Sequence, residues 1–435
     1  MHHAPAFTHP VSLWMSACAA LFFALTLSVP GGYSWGGALL LLGGAGCWLA
    51  MRYGKRLRGD GYAGTGHSSH WDVQDKTLTT LFLAVFLLNA VAVVWHADSG
   101  KYLDQGARYL LAIPVLWGLR QVRLRQHWLW LGLVAGCLGA AAVAWWQLHV
   151  WGISRAAGFL TSAIPFGDIA LMLGFWCVLG ATLFTAQQRW IWAILLLLGA
   201  TAGVYAFAAA ATRGGLVAVP VLLVLAGLCL VRRQHARTLI PALVVLLAAL
   251  VFVVALLPAG QIAEHRVNEA FAEWQAYSQQ GDATNNVGSR LEAWKAALIS
   301  IPKKPLLGWG HADYDAQLKE LVSTGQTPPF VATLANTHNQ FIEIWLHQGT
   351  LGLIAFLALL ITSIWYFSQR LFHADITVRV LACCGASLPA GFAAFGLTQV
   401  ILGRNNGVMF FLISLAIWWA MMRQAEADAA SSLPT

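Results

Sequence analysis

The chain has 435 residues, of which 58% are hydrophobic and 10% charged, with 21 tryptophans and a mean hydropathy of +0.65. A soluble domain carries roughly 25% charged residues. The composition therefore excludes a soluble globular enzyme, a disordered chain and a disulfide scaffold, and leaves an all-α polytopic membrane protein set in a lipid bilayer. The net charge of +8 comes without a basic block interleaved with aromatics, so it reflects loop bias in a membrane protein and gives no sign of nucleic-acid binding. All seven cysteines (Cys18, Cys47, Cys137, Cys177, Cys229, Cys383 and Cys384) lie in apolar runs, with no disulfide framework and no zinc spacing.

A membrane-spanning helix needs roughly 20 mostly apolar residues. About twelve runs qualify, near 11–29, 34–51, 77–97, 102–119, 128–149, 163–186, 190–211, 215–231, 238–257, 340–367, 379–402 and 407–422. The first lacks a basic flank and a cleavage site, so it reads as a retained helix. Arg52, Lys55, Arg56 and Arg58, then Arg120, Arg123 and Arg125, then Arg232, Arg233 and Arg237 occupy alternate loops. Their clustering puts both termini in the cytoplasm. The chain then divides into nine spanning helices over 1–257, a long outward loop over 258–337, three more helices over 338–422 and a cytoplasmic tail over 423–435.

That loop is too long for a plain connector. Within it, Leu291, Trp294, Leu298 and Ile301 predict an amphipathic helix over 290–301, suited to the membrane interface. Pro302 and Pro305 stop it, Gly308-Trp309-Gly310 makes a turn, and Gln279–Asn286 reads as a flexible tip.

Cations on the outer side run against the charge bias. Arg155 follows the fifth helix between Gly152 and Gly158, and Arg213 sits in Thr212-Arg213-Gly214-Gly215 between two apolar helices. An arginine near bilayer depth costs about 2.5–3.5 kcal/mol on insertion scales, so it faces a polar cavity or partner, or snorkels to headgroups. Arg266 and Arg290 lie in a loop with more acidic than basic residues, so each is either a specific phosphate fork or an ion-pair partner of Glu264, Glu269 or Glu292. His338 opens the tenth helix in Thr337-His338-Asn339-Gln340. If the chain is helical throughout, Ile342, Trp345, Gly349 and Gly352 share its face. An imidazole there is a general-base candidate or a helix cap. Asp313-Tyr314-Asp315 has a weak DxD metal pattern, Asp168 and Glu343 are polar partners within the bundle, and His96, His149 and His265 read as interface histidines.

His338-Asn339, nine residues, then Gly349-Thr350-Leu351-Gly352 resembles the signature of the bacterial O-antigen ligases. Ser289-Arg290 with Trp294, followed by Pro305 and Gly308-Trp309-Gly310, resembles the loop motif of the wider O-antigen ligase and polymerase superfamily. The resemblance implies a GT-C-like, metal-independent, inverting glycosyltransferase of the bacterial inner membrane, working at its periplasmic face. Its donor would be an undecaprenyl-diphosphate-linked glycan and its acceptor a sugar hydroxyl of lipid A–core, with no cofactor. It implies that His338 is the essential histidine, that the essential loop arginine is Arg290 or Arg266, and that Arg213 is an arginine at a helix end. Arg155 is added from the charge argument alone. An O-antigen polymerase and an O-linked protein oligosaccharyltransferase are the related alternatives; a transporter would carry charges through midplane helices.

Overall fold

The computed structural model describes residues 9–57, 71–160, 162–230 and 258–431; the side chains of 50–57 and 258–267 are not among them. The described residues form helices and no strand: α1 (His9–Leu25), α2 (Gly32–Leu57), α3 (Val73–Trp95), α4 (Gly100–Gln121), α5 (Gln126–His149), α6 (Ala163–Ala186), α7 (Trp190–Ala210), the single turn α8 (Arg213–Leu216) and α9 (Ala218–Leu230). After the undescribed stretch come α10 (Pro258–Gln280), α11 (Asn286–Ser300), α12 (Ala312–Ser323), α13 (Gln340–Ser368), α14 (Ile376–Gly396) and α15 (Asn405–Ser431). Where no water can pair with the backbone, a helix satisfies every amide internally, which is why the apolar runs take this form. Polar caps set the starts: Asp72 and Asp75 form a capping box at α3, and Ser162, Asn285, Asn339 and Asp375 accept backbone N–H groups at α6, α11, α13 and α14.

Seven of the described helices are long and apolar enough to cross a membrane: α3, α5, α6, α7, α13, α14 and α15. The first and eighth expected spans are shorter apolar helices, and the second and fourth are present as α2 and α4. The expected ninth run (238–257) and the cations Arg58, Arg232, Arg233 and Arg237 lie outside the described residues. Trp35, Trp95, Trp145, Trp146, Trp151, Trp190 and Trp365 are exposed near helix ends, as in the aromatic belts of bilayer proteins. Together these features make the chain a multi-pass membrane protein.

α6 and α14 run through the centre, with 89% of each apolar stretch buried against 28% for the outer α3. Their Trp176 and Phe392 meet Phe410 and Trp418 of α15 and Phe23 of α1 in one aromatic cluster. Small residues bring helices close: a Cβ on Gly203 of α7 would lie 2.8 Å from the Cα of Gly174 in α6. One end of the bundle is tied by ion pairs. Buried Asp75 accepts from Arg120 at 3.0 Å and from the Trp419 indole at 2.7 Å, and Arg370 pairs with Glu426 at 2.8 Å. Because α13 runs from residue 340 to 368, the His338 loop is at the other end.

Three expected boundaries are corrected. The eleventh span stops at Gly396, and the apolar stretch through Leu402 leaves the helix as a loop. α15 runs to Ser431, so most of the expected tail continues a helix. The expected flexible tip is an ordered turn: Asp282 accepts the N–H of Thr284, and Asn285 caps α11 while donating to the carbonyls of Glu273 and Asp282.

Within 258–337, α11, α12 and the turns around them enclose a small second core of Ala293, Ala296, Ala297, Ile301, Trp309, Leu318 and Leu321, closed by Leu346 of α13. The alanine face of α11 is the buried one, while Leu298 is 49% exposed. The packed face is therefore centred on the alanines and Ile301, with Leu291 and Trp294 half-buried at its edge and Leu298 turned out of it.

Candidate active site

Three of the four candidate arginines meet. Arg155, Arg213 and Arg290 line one cavity of about 310 Å³, together with Asn286 and Thr398. They come from the loop after α5, the first residue of α8, and α11. Arg213 donates to Glu269 at 2.5 Å and to Glu273 at 3.3 Å, both on α10, and Arg155 Nε donates to the carbonyl of Ala210 at 3.0 Å. Burial and the neighbouring Arg213 lower the pKa of Arg290, with Glu273 opposing them. Arg266 belongs to α10 by its backbone, and its side chain lies outside the described residues.

The glycines beside Arg213 let protein side chains approach. A Cβ on Gly214 would lie 2.2 Å from Thr398 Oγ1, and one on Gly215 would lie 2.8 Å from Asp168 Oδ1. Asp168 is buried in α6 and accepts the Thr212 hydroxyl at 3.5 Å, which ties the turn carrying Arg213 to the bundle.

His338 is not part of a helix. It stands before the cap Asn339 with φ of +54°, a left-handed conformation uncommon outside glycine and concentrated at functional sites. Its surroundings hold it there. The His338 N–H donates to Asn336 Oδ1 at 2.9 Å, and Glu343 Oε2 accepts both the N–H of Thr337 at 2.9 Å and its hydroxyl at 2.8 Å. The Trp294 indole of α11 donates to the Thr337 carbonyl at 2.7 Å. Asn339 caps α13 with its carbonyl oxygen and donates its amide to Leu397 O at 3.2 Å, and Gln340 accepts the N–H of Leu402 at 2.8 Å. The His-Asn-Gln triplet thus fixes both its own loop and the loop 397–404.

That second loop sets the imidazole's protonation. His338 Nδ1 lies 3.2 Å from Gln399 Oε1, which also accepts the N–H of Val400 at 3.1 Å. An oxygen accepting from Val400 cannot donate to His338, so Nδ1 carries the hydrogen and Nε2 keeps a lone pair. Burial, and then the positive charge of Arg290, hold the His338 pKa below 6.5, with the Gln399 bond opposing them. The ring is neutral near pH 7 and has a basic nitrogen. The Arg290 charge that acts on it couples the imidazole to the arginine cavity. Gln399 was not a sequence candidate; one amide in an apolar run was its only signal.

Gly349 corrects the expectation of a continuous helical face. Its φ and ψ of +67° and −170° break α13. There the loop 305–310 crosses: Trp309 N donates to Leu346 O, Gly310 N to His347 O, Thr350 N to Pro305 O, and Leu351 N to Leu306 O, at 2.8–3.3 Å. A Cβ on Gly349 would lie 2.2 Å from Leu306 O, and one on Gly308 would lie 2.6 Å from Gly349 N. The two glycine motifs are two sides of one backbone crossing.

The remaining candidates have structural partners. Asp313 receives Lys304 at 2.6 Å and sits 2.9 Å from Nδ1 of His96, which is buried at the end of α3. Among the described residues, no group of three or more His, Cys, Asp or Glu is placed to hold a metal ion. His149 is exposed beside Trp145, and the side chain of His265 is outside the described residues.

Fold and site define a multi-pass helical membrane protein with an arginine-lined cavity and a half-buried imidazole at one end of its bundle. Residues 193–357, which carry Arg213, Arg290, His338 and both glycine motifs, match the family model of the O-antigen ligases. It is also similar to an uncharacterized protein of Haemophilus influenzae, 23% identical over 402 residues, covering 91% of this chain and 95% of the relative.

Proposed function

We propose that the protein transfers O-antigen polysaccharide from undecaprenyl diphosphate to a sugar hydroxyl of lipid A–core, with inversion and without a metal, at the periplasmic face of the bacterial inner membrane. The observation carrying this reading is the cavity shared by Arg155, Arg213 and Arg290, with a neutral His338 within the electrostatic reach of Arg290. Guanidinium groups donate in a fixed fork to phosphate oxygens, so they suit a diphosphate both bound and leaving.

The acceptor hydroxyl attacks the anomeric carbon from the face opposite the diphosphate. The new C–O bond forms as the bond to the diphosphate oxygen breaks, and that oxygen takes the electron pair. The hydroxyl proton passes to Nε2 of His338. Charge developing on the leaving oxygen is stabilised by the arginines, and Glu269 and Glu273 keep Arg213 in place between turnovers.

The test is transfer by purified protein in proteoliposomes holding undecaprenyl-diphosphate glycan, with lipid A–core, free glycan or protein as acceptor. Lipid A–core is the expected acceptor; elongation of free glycan would make the protein a polymerase, and glycosylated protein an oligosaccharyltransferase. His338→Ala is expected to lower the rate by about 10²–10⁴-fold with donor binding retained. Arg213→Ala with Arg290→Ala is expected to weaken donor binding. Full activity in either variant would remove the corresponding residues from the mechanism.

A further inference from the structure

A second cavity, of about 350 Å³, lies beside the loop that carries His338, which itself lines neither cavity. Asn336 and Gln340, each two residues from the histidine, line it, as does Val400, while Thr398 on the same loop as Val400 lines the arginine cavity. The loop carrying Gln399 is therefore the partition between the two chambers, and His338 is bonded to it.

The chambers differ in chemistry. The arginine cavity offers guanidinium groups, which only donate. The second is walled by the amides Asn89, Gln105, Asn336, Gln340 and Gln348 and by the Tyr102 phenol, groups that both donate and accept. Its acidic and basic side chains are Glu343, Arg404 and the histidines His311 and His347, with His347 Nε2 3.5 Å from Glu343, so it is not a cluster of cations like the arginine cavity. One wall is a ring stack: Tyr102 on His311 with centroids 3.5 Å apart, and His311 on His347 at 3.8 Å. Asn89 lines the chamber from α3, with its carbonyl oxygen packed against Gly106 of α4 and without a hydrogen-bond partner. Asn89 lies six residues before the end of α3, so the chamber reaches roughly 9 Å down the helix. Ligand pockets start near 300 Å³, so the volume suits a small ring ligand.

We propose that this chamber binds an uncharged pyranose of the acceptor glycan, with its hydroxyls on the amides and its ring against the Tyr102–His311 stack. A sugar seated there and an anomeric carbon held over the arginine cavity are separated by the loop to which His338 is bonded. The word acceptor rests on the transferase reading; the binding of a sugar does not.

The test uses the full-length protein in detergent, titrated with delipidated core oligosaccharide and followed by saturation-transfer NMR and calorimetry. Wild type is expected to bind. Asn89→Leu and Gln348→Leu, which keep volume and remove hydrogen bonding, are each expected to weaken binding tenfold or more, with Arg213→Ala within twofold of wild type. In proteoliposomes the same two leucine variants are expected to raise the acceptor KM and leave the donor KM unchanged. Gln348 is only half-buried, so its variant guards against a folding defect in Asn89→Leu. No binding by wild type, wild-type binding by both leucine variants, or an equal loss in Arg213→Ala would overturn the proposal. Cavity-dependent binding in a protein that transfers nothing would leave the sugar site standing and remove the transferase reading.

Discussion

Gln399→Leu isolates what the loop 397–404 does for His338. The leucine keeps the buried volume but removes the oxygen that accepts from Nδ1 at 3.2 Å. Either nitrogen can then carry the hydrogen, and the ring is free to rotate. A hydrogen bond of this kind contributes about 1 kcal/mol net, a factor of about 5 in population. The expected result is a kcat about fivefold lower, with donor and acceptor KM unchanged. That is far less than the loss on removing the imidazole. The assay is transfer in proteoliposomes, with thermal unfolding measured beside it, because the Val400 N–H also loses its partner. A double-mutant cycle sharpens it: in a His338→Ala background the leucine has nothing left to orient, so the second substitution is expected to have no further effect. Gln399→Glu places a carboxylate against the ring, which raises the imidazole pKa and moves the acid limb of the pH–rate profile to higher pH. A fivefold loss that persists without His338, or a wild-type rate in Gln399→Leu, would refute the tautomer argument.

The helices were legible because a long apolar run has few other ways to satisfy its backbone. Arg155 and Arg213 were legible for a related reason, since a charge beside an apolar run is costly without a partner, whereas Arg290 stood out only within the loop motif Ser289-Arg290 with Trp294. The loop 397–404 was not legible. Leu397, Val400, Ile401 and Leu402 read as helix, and what unwinds the chain is distant: the side chains of His338, Asn339 and Gln340 bond Gln399, Leu397 and Leu402. Gly349 misled for the same reason. Its neighbours have helical periodicity, and the strand of chain that breaks the helix, Pro305–Gly310, is about forty residues upstream. Glu343 was visible as a polar residue in a helix, but its role depends on Thr337 turning back over it, which no local pattern encodes.

Arg290→Ala removes the positive charge that lowers the His338 pKa, so the acid limb of residual activity is expected to move to higher pH. Arg290→Lys keeps the charge and loses the fork, so it should lower turnover without moving the limb; an unmoved limb in the alanine variant would contradict this. Trp294→Phe deletes the 2.7 Å bond to the Thr337 carbonyl, worth about 1 kcal/mol, and is expected to slow transfer by up to about fivefold at an unchanged donor KM. Gly349→Ala tests the backbone crossing. An alanine at φ of +67° and ψ of −170°, a region essentially confined to glycine, is strained by about 1–3 kcal/mol before any contact is considered. Its Cβ would also lie 2.2 Å from the Leu306 carbonyl oxygen, which is backbone and cannot swing aside. Relief requires parting Pro305–Gly310 from α13, and with it the four hydrogen bonds of the crossing at about 1 kcal/mol each. A cost of about 4 kcal/mol or more is exceptional for one methyl group and is expected to remove folded protein from the membrane. The control is Gly46→Ala in α2, where a Cβ meets nothing within 4 Å and a helical alanine should be neutral or stabilising by up to about 1 kcal/mol. Membrane levels and thermal unfolding of the two variants decide the matter. If Gly349→Ala folds like Gly46→Ala and differs only in catalysis, the signature glycine serves the substrate and not the crossing.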